Sequence, residues 1–169
     1  MIKQLILLRH AHRDTTERSL DNGLSPKGQR QAKWIKRFAS QRFDSQEWQE
    51  LRGVVVSSPK RRCIETVEPL ADLFQGKVEI RQELDEQRSG ESFAAFDERI
   101  HRFMSWWVRE APPLVVACSH GDWLPLAIFH VSGSALEMKK GSWVELEWES
   151  NRAQLRWYLP SFKSFYGGA

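Results

Sequence analysis

The chain is poor in cysteine. Cys63 and Cys118 are its only two in 169 residues, too few for a disulfide framework. Both fall in segments that read as helix or strand, so they are expected to be buried, reduced thiols of a cytoplasmic protein. Long apolar runs are missing as well. No stretch nears the ~20 residues that a helix needs to cross a bilayer, so no membrane partner is expected. A single lysine before a very short apolar run, with charge following at once, does not make a secretory leader. Internal repeats, low-complexity tracts and clear linkers are also missing. Charge of one sign is barely in excess: 25 Lys and Arg face 22 Asp and Glu, a net charge of +3. That balance suits an anionic small substrate and a bland basic surface equally. The basic triplet Lys60-Arg61-Arg62 is too short for a nucleic-acid stripe, and no nucleic-acid partner is expected.

Aromatic residues, by contrast, are plentiful. Most of the eight tryptophans fall on apolar faces, where core packing explains them better than base stacking. A chain of this length, 41% hydrophobic and 28% charged, suits one compact domain over residues 1–169. Residues 3–9 contain Leu5-Ile6-Leu7-Leu8 and read as a buried parallel strand. Ser25 caps a helix that Pro26 opens; Ala32, Ile35, Phe38 and Ala39 form its apolar stripe. Val54-Val55-Val56 is the second strand. The helix after Pro59 carries Ile64 and Val67. Pro69 is expected to kink or restart it, with Leu70, Leu73 and Phe74 beyond. Val78–Arg81 is a weak third strand. From about Ser92 to Glu110, Phe93, Phe96, Ile100, Phe103 and Trp107 recur at helical spacing. Leu114–Cys118 is a fourth strand, apolar throughout. Residues 123–131 form a short helix, and Trp143–Trp148 with Gln154–Leu159 suit an antiparallel pair. This order predicts an α/β fold: a three-layer α/β/α sandwich, its sheet mostly parallel with an antiparallel edge.

Polar residues follow each of the first four strands. Arg9-His10 follow the first, and Ser57-Ser58-Pro59-Lys60-Arg61-Arg62 the second. Leu84-Asp85-Glu86 follow the third, and Ser119-His120-Gly121 the fourth. In a parallel sheet all four positions lie at the carboxyl edge, where α/β proteins bind ligands. Two histidines, at least two arginines and a carboxylate then converge. The set suits phosphate better than metal. Guanidinium groups bind phosphate oxygens in pairs, and a helix N-terminus near Lys60 adds N–H donors. A neutral imidazole can act as nucleophile, and a carboxylic acid can protonate a leaving oxygen.

Taken in order, these segments resemble the histidine phosphatase superfamily, which has the phosphoglycerate mutase-like fold. Leu7-Leu8-Arg9-His10-Ala11 is similar to its arginine-histidine-glycine signature, with Ala11 in the glycine's place. Leu24-Ser25-Pro26-Lys27-Gly28-Gln29-Arg30-Gln31-Ala32 is similar to its first helix start. Ser57-Ser58-Pro59 with Arg62, Glu65 and Thr66 resembles its second arginine motif. Leu84-Asp85-Glu86, then Gly90-Glu91-Ser92 and Arg99, resembles its acid loop and the helix beyond. Ser119-His120-Gly121 resembles its second histidine. The matches cover most of residues 5–122; the remainder resembles the family only in general pattern.

The resemblance implies a single histidine phosphatase domain that hydrolyses phosphomonoesters of a small metabolite through a phosphohistidine on His10. Arg9, Arg62 and His120 would hold the phosphoryl oxygens. Glu86 would protonate the leaving oxygen and then deprotonate the attacking water; Asp85 and Glu91 lie close enough in sequence to serve instead. His10 would be neutral, and His120 cationic or a donor. Arg13, similar in position to an arginine of the superfamily's acid phosphatase branch, is a further phosphate contact or a surface arginine. No metal and no cofactor is implied. Thr16 stands where phosphoglycerate mutases carry an asparagine, and their long insertions are missing, which disfavours a mutase-type phosphotransferase. A protein phosphohistidine phosphatase with a phosphoprotein partner and a non-catalytic phospho-ligand module are the alternatives. His10-Ala11-His12 is also similar to the start of the metal site in amidohydrolase barrels, but those need about 250 residues. Ser57 and Ser58 are expected to cap the helix or donate weakly. Asp122 either orients His120 or caps the next helix, and His12, His101 and His130 match no role. The tail Phe162–Tyr166 either closes over the cleft or packs, and nothing in the sequence speaks to oligomeric state.

Overall fold

Four consecutive apolar residues, Leu5 to Leu8, need cover on both faces and partners on both edges. The strand that holds them, β1 (Lys3–Arg9), has both in the computed structural model, which describes residues 2–17, 19–43, 48, 50, 52–134 and 136–166. The other strands are β2 (Val54–Ser57), β3 (Val78–Ile80), β4 (Leu114–Ser119), β5 (Trp143–Glu149) and β6 (Arg152–Leu159). All six join one sheet in the order β3-β2-β4-β1-β5-β6. The pairs β1–β4, β2–β4 and β2–β3 are parallel, while β5 runs antiparallel to both β1 and β6. The sheet is thus mostly parallel with an antiparallel edge.

Successive side chains of a strand point to opposite faces, and the core divides accordingly. Leu5 and Leu7 pack with α3 (Phe93–Arg109) and α4 (Trp123–Ser132), through Phe96, Ile100, Phe103, Trp107 and Trp123. Ile6 and Leu8 pack with α1 (Pro26–Arg42) and α2 (Arg61–Leu73), through Ile35, Ala39, Cys63, Val67 and Leu70. β4 is buried along its whole length. All eight tryptophans are buried or half-buried, as core residues should be. Cys63 and Cys118 are buried and free. Ser25 caps α1 by accepting from the Gly28 N–H, and Ser92 caps α3 by accepting from that of Ala95. No helix among the described residues is long and apolar enough to cross a membrane.

Three details differ from the sequence reading. α2 runs through Pro69 without a break. Val67, Leu70 and Ala71 are buried on both sides of it, and that burial outweighs one lost backbone bond. Ile64 is only half-buried, because the inward face of α2 is set by Arg62, Cys63 and Thr66 instead. Phe93 is 61% exposed: it lies in the first turn of α3, and burial begins at Phe96. The tail packs. Phe162 is buried against Phe38 and Trp143, and Tyr166 in α5 (Lys163–Tyr166) donates its hydroxyl to Gln41 Oε1 at 2.6 Å.

These contrasts are measurable. Phe103→Ala should lower the unfolding free energy by about 3–5 kcal/mol, the usual cost of emptying a buried phenyl site. Phe93→Ala should change it by less than about 1 kcal/mol. Chemical denaturation of both variants checks the assignment, and equal losses would contradict it.

Candidate active site

Register places the two histidines side by side. Arg9 of β1 is level with Ser119 of β4, and Ser57 of β2 is level with Cys118. The next residue on each chain therefore leaves the same edge of the sheet. His10 and His120 meet there with ring centroids 5.3 Å apart, and both are buried.

Their hydrogen bonds assign their tautomers. His10 Nδ1 lies 2.8 Å from the carbonyl of Ala11, which can only accept, so Nδ1 carries the proton. Nε2 keeps its lone pair. His120 Nδ1 lies 3.3 Å from Arg62 Nη2, a group that can only donate. Its proton therefore sits on Nε2, which donates to Ser58 Oγ at 2.7 Å. Ser58 Oγ in turn faces Asp85 Oδ1 at 3.5 Å, and Cys63 Sγ lies 3.5 Å from the same Nε2. Ser58 thus orients His120, in addition to the capping or weak donation expected of it: it accepts from the Lys60 N–H at 3.3 Å.

Burial is the main force on both rings. It pulls the pKa of His10 from 6.5 to about 3; the Ala11 carbonyl opposes this, and Arg62, Arg9 and Lys140 add to it. It pulls that of His120 to about 2, helped by Arg62, His10, Lys60 and Arg9. Both imidazoles are therefore neutral near pH 7. Of the two states expected for His120, cation or donor, the ring is a neutral donor, through Nε2 to Ser58, because burial among cations disfavours the charged form.

Arg62 forms the centre of the site. It is only 3% exposed. Nη2 donates to Glu86 Oε2 at 2.6 Å, and Nη1 lies 3.5 Å from Asp21 Oδ1. Glu86 Oε2 is also 3.8 Å from His120 Nδ1, and Oε1 is 3.7 Å from Lys60 Nζ. One turn along α2, the Thr66 hydroxyl donates to the Arg62 carbonyl and accepts from the Ala11 N–H, at 2.7 and 2.9 Å. That pair of bonds locks α2 to the end of β1. Arg9 reaches a different partner, donating through Nη1 to the Met138 carbonyl at 2.6 Å. Its guanidinium lies against Gly121, where a Cβ would come within 2.6 Å of it. The Nε–H groups of Arg9 and Arg62 are buried without a hydrogen-bond partner among the described residues.

The acid loop is held from below. Buried Arg99 donates to the carbonyls of Glu83, Asp85 and Glu86. It also clasps both oxygens of Glu91 at 2.7 Å. That clasp holds the Glu91 carboxyl down to about 2. Asp85 is buried and accepts from the Glu86 N–H at 3.0 Å. Of the three carboxylates considered for proton transfer, only Glu86 faces Arg62 and His120 together.

Other expectations resolve differently. Arg13 pairs with Leu24 in an isolated bridge. No hydrogen bond or ion pair joins it to His10, Arg62 or His120 among the described residues. Asp122 caps α4 at the Trp123 N–H and accepts from the Gln87 N–H, with no bond to His120. His12 bonds Ser25 Oγ. His101 and His130 meet over Asp97, at 3.6 and 2.7 Å. Asp21 and Lys140 were not expected beside the site: each lies in an irregular segment next to turn residues, Asn22-Gly23 and Gly141, which mark a loop without showing what it approaches. Lys60, expected at the N-terminus of the helix after β2, is found there with its amine 3.7 Å from Glu86 Oε1.

The chain is thus an α/β protein whose mostly parallel sheet gathers cations and two imidazoles into a cage at its carboxyl edge, where such proteins bind ligands. The chain belongs to the histidine phosphatase superfamily (branch 1), whose model matches residues 5–90 and 86–159. Solved structures agree on the fold. The alpha-ribazole phosphatase from Shigella flexneri is 19% identical, with a TM-score of 0.75 over 95% of this chain and 97% of that one. The protein histidine phosphatase SixA, complexed with tungstate, is 16% identical, with a TM-score of 0.73 over 96% and 99%. The phosphoserine phosphatase from Entamoeba histolytica, in complex with 3-phosphoglyceric acid, is 16% identical, with a TM-score of 0.73 over 92% and 96%. No curated protein matches the sequence.

The buried imidazoles make stability depend on pH. An unfolded histidine titrates near 6.5, while these two titrate near 3 and 2. Below pH 6.5 the unfolded chain therefore binds more protons, and the fold weakens as pH falls. The expected slope is roughly 1 kcal/mol per pH unit for each histidine. His120→Asn should remove about half of it between about pH 6 and pH 4.5. Denaturant titrations across that range check this, and an unchanged slope would refute it.

Proposed function

We propose that this protein is a phosphatase that hydrolyses phosphomonoesters through a phosphohistidine on His10, with a small phosphorylated metabolite as substrate. The observation that carries this reading is the state of His10: neutral, its proton held on Nδ1, its Nε2 lone pair free. Arg62 and His120 supply the surroundings a phosphoryl group needs.

The Glu86 carboxylate pairs with the Arg62 guanidinium. A phosphoryl dianion competes for the same donors. Once it takes them, Glu86 is released toward the leaving oxygen and takes up a proton from solvent. The dianion also favours a protonated His120, so Nδ1 changes from acceptor to donor and joins Arg62 and Arg9 around the phosphoryl oxygens. Nε2 of His10 then attacks phosphorus in line as the phosphorus–oxygen bond to the alcohol breaks, and Glu86 gives that oxygen a proton. In the second step Glu86 takes a proton from water. The hydroxide attacks phosphorus, the phosphorus–nitrogen bond breaks, and inorganic phosphate leaves. This scheme routes no step through a metal or cofactor.

His10→Ala should fold normally by circular dichroism yet reduce turnover of an aryl phosphate to background. Near wild-type turnover would mean that another group is the nucleophile. Glu86→Gln should slow alkyl phosphates by about 10²–10⁴-fold, because their poor leaving groups need a proton. Nitrophenyl phosphate, whose leaving group needs none, should be slowed far less. Equal slowing of both would remove Glu86 as the acid. A panel of metabolite phosphates, read by phosphate release, tests the substrate class; turnover confined to a phosphohistidine protein would favour the protein phosphatase alternative.

A further inference from the structure

A second cleft, of about 580 Å³, opens beside the histidine cage, between α1, the loop before β5 and the start of α5. Six cations line it: Arg9, Lys27, Arg30, Lys139, Lys140 and Lys163, against the single carboxylate of Glu137. That local excess is larger than the +3 of the whole chain. None of the six enters an ion pair among the described residues, although the surface elsewhere pairs its arginines freely. Lys27 adds its charge to the first turn of α1, where the helix dipole already favours an anion. Like charges so gathered repel one another, and an anion seated among them relieves the repulsion.

The cleft borders the cage through Arg9. Arg9 lines the cleft and directly precedes His10. The Gly141 N–H donates to the carbonyls of both Arg9 and His10, at 3.1 and 3.2 Å, which tethers Lys140 beside the nucleophile. The Lys140 amine is lowered first by burial and then by Arg9, Arg13, Lys27 and Arg62. It therefore lies within the field of the cage and of the cleft at once. The volume is that of a small-molecule pocket.

We infer that the substrate is a phosphomonoester whose alcohol part carries a second anionic group, a phosphate or carboxylate, held by Lys27, Arg30, Lys139, Lys140 and Lys163 while the reacting phosphoryl group sits at His10. This rests on the phosphatase reading above.

The test compares alkanediol monophosphates of increasing length with the matching bisphosphates and phosphorylated hydroxy acids. Phenyl phosphate serves as the one-anion reference. At one length or more, the second anion should raise kcat/KM by about tenfold. Three screened pairs, each contributing a factor of about two, reach that size. The triple variant Lys27→Ala, Arg30→Ala, Lys163→Ala changes only exposed side chains. It should lose the preference through KM and keep phenyl phosphate turnover within about twofold. Equal kcat/KM for one-anion and two-anion substrates at every length would overturn the inference. So would a triple variant that keeps the preference. Wild-type protein that hydrolyses no member of the series, phenyl phosphate included, would overturn the phosphatase reading and this inference with it.

Discussion

A buried guanidinium must be answered by opposite charge, or the fold loses several kcal/mol. Arg62 is that group here, and much of the site can be read as the answer to it. Glu86 and Asp21 supply the charge. Thr66 fixes the helix that carries it against the end of β1. Arg99 pins the loop that presents Glu86. The same cation, added to burial, keeps both histidines neutral. A protein that buried this arginine only for stability would surround it fully. Here its Nε–H has no hydrogen-bond partner among the described residues, and one of its two counter-charges, Glu86, is partly exposed.

That arrangement gives Glu86 two successive positions in the proposed cycle. Resting on Arg62, it fills the anion site and prevents an uncompensated buried charge. Displaced by a phosphoryl group, it stands where a leaving oxygen needs a proton. Substrate binding and acid placement are then one event. The neighbouring cationic cleft extends the same logic outward, since its repulsion also falls when an anion arrives.

Much of this was legible in the sequence, for physical reasons. The run Leu5 to Leu8 reads as a strand covered on both faces, and element order then placed Arg9, His10, Arg62, Glu86 and His120 at one edge. Ser25-Pro26 and the spacing from Phe96 to Trp107 marked two helices by capping and period. Other features depended on tertiary context. Pro69 reads as a break, yet burial on either side carries the helix through it. Phe93 shares the period of its helix but precedes the point where the helix meets the core. Ser58 reads as a cap, because nothing local reveals that His120 will arrive opposite it. Asp21 and Lys140 sit in loops, and only the folded chain brings Asp21 to Arg62 and Lys140 into the field of His10. The neutral state of His120 follows from a shared pocket whose composition no single motif reports.

The central claim is that His10 Nε2 forms a bond to phosphorus. Rapid quenching of the protein with a labelled aryl phosphate, followed by peptide mapping, tests it directly. The account predicts label on the peptide containing His10, bound through nitrogen, and therefore lost in acid and kept in base. Turnover without any such label, or label on another residue, would contradict it.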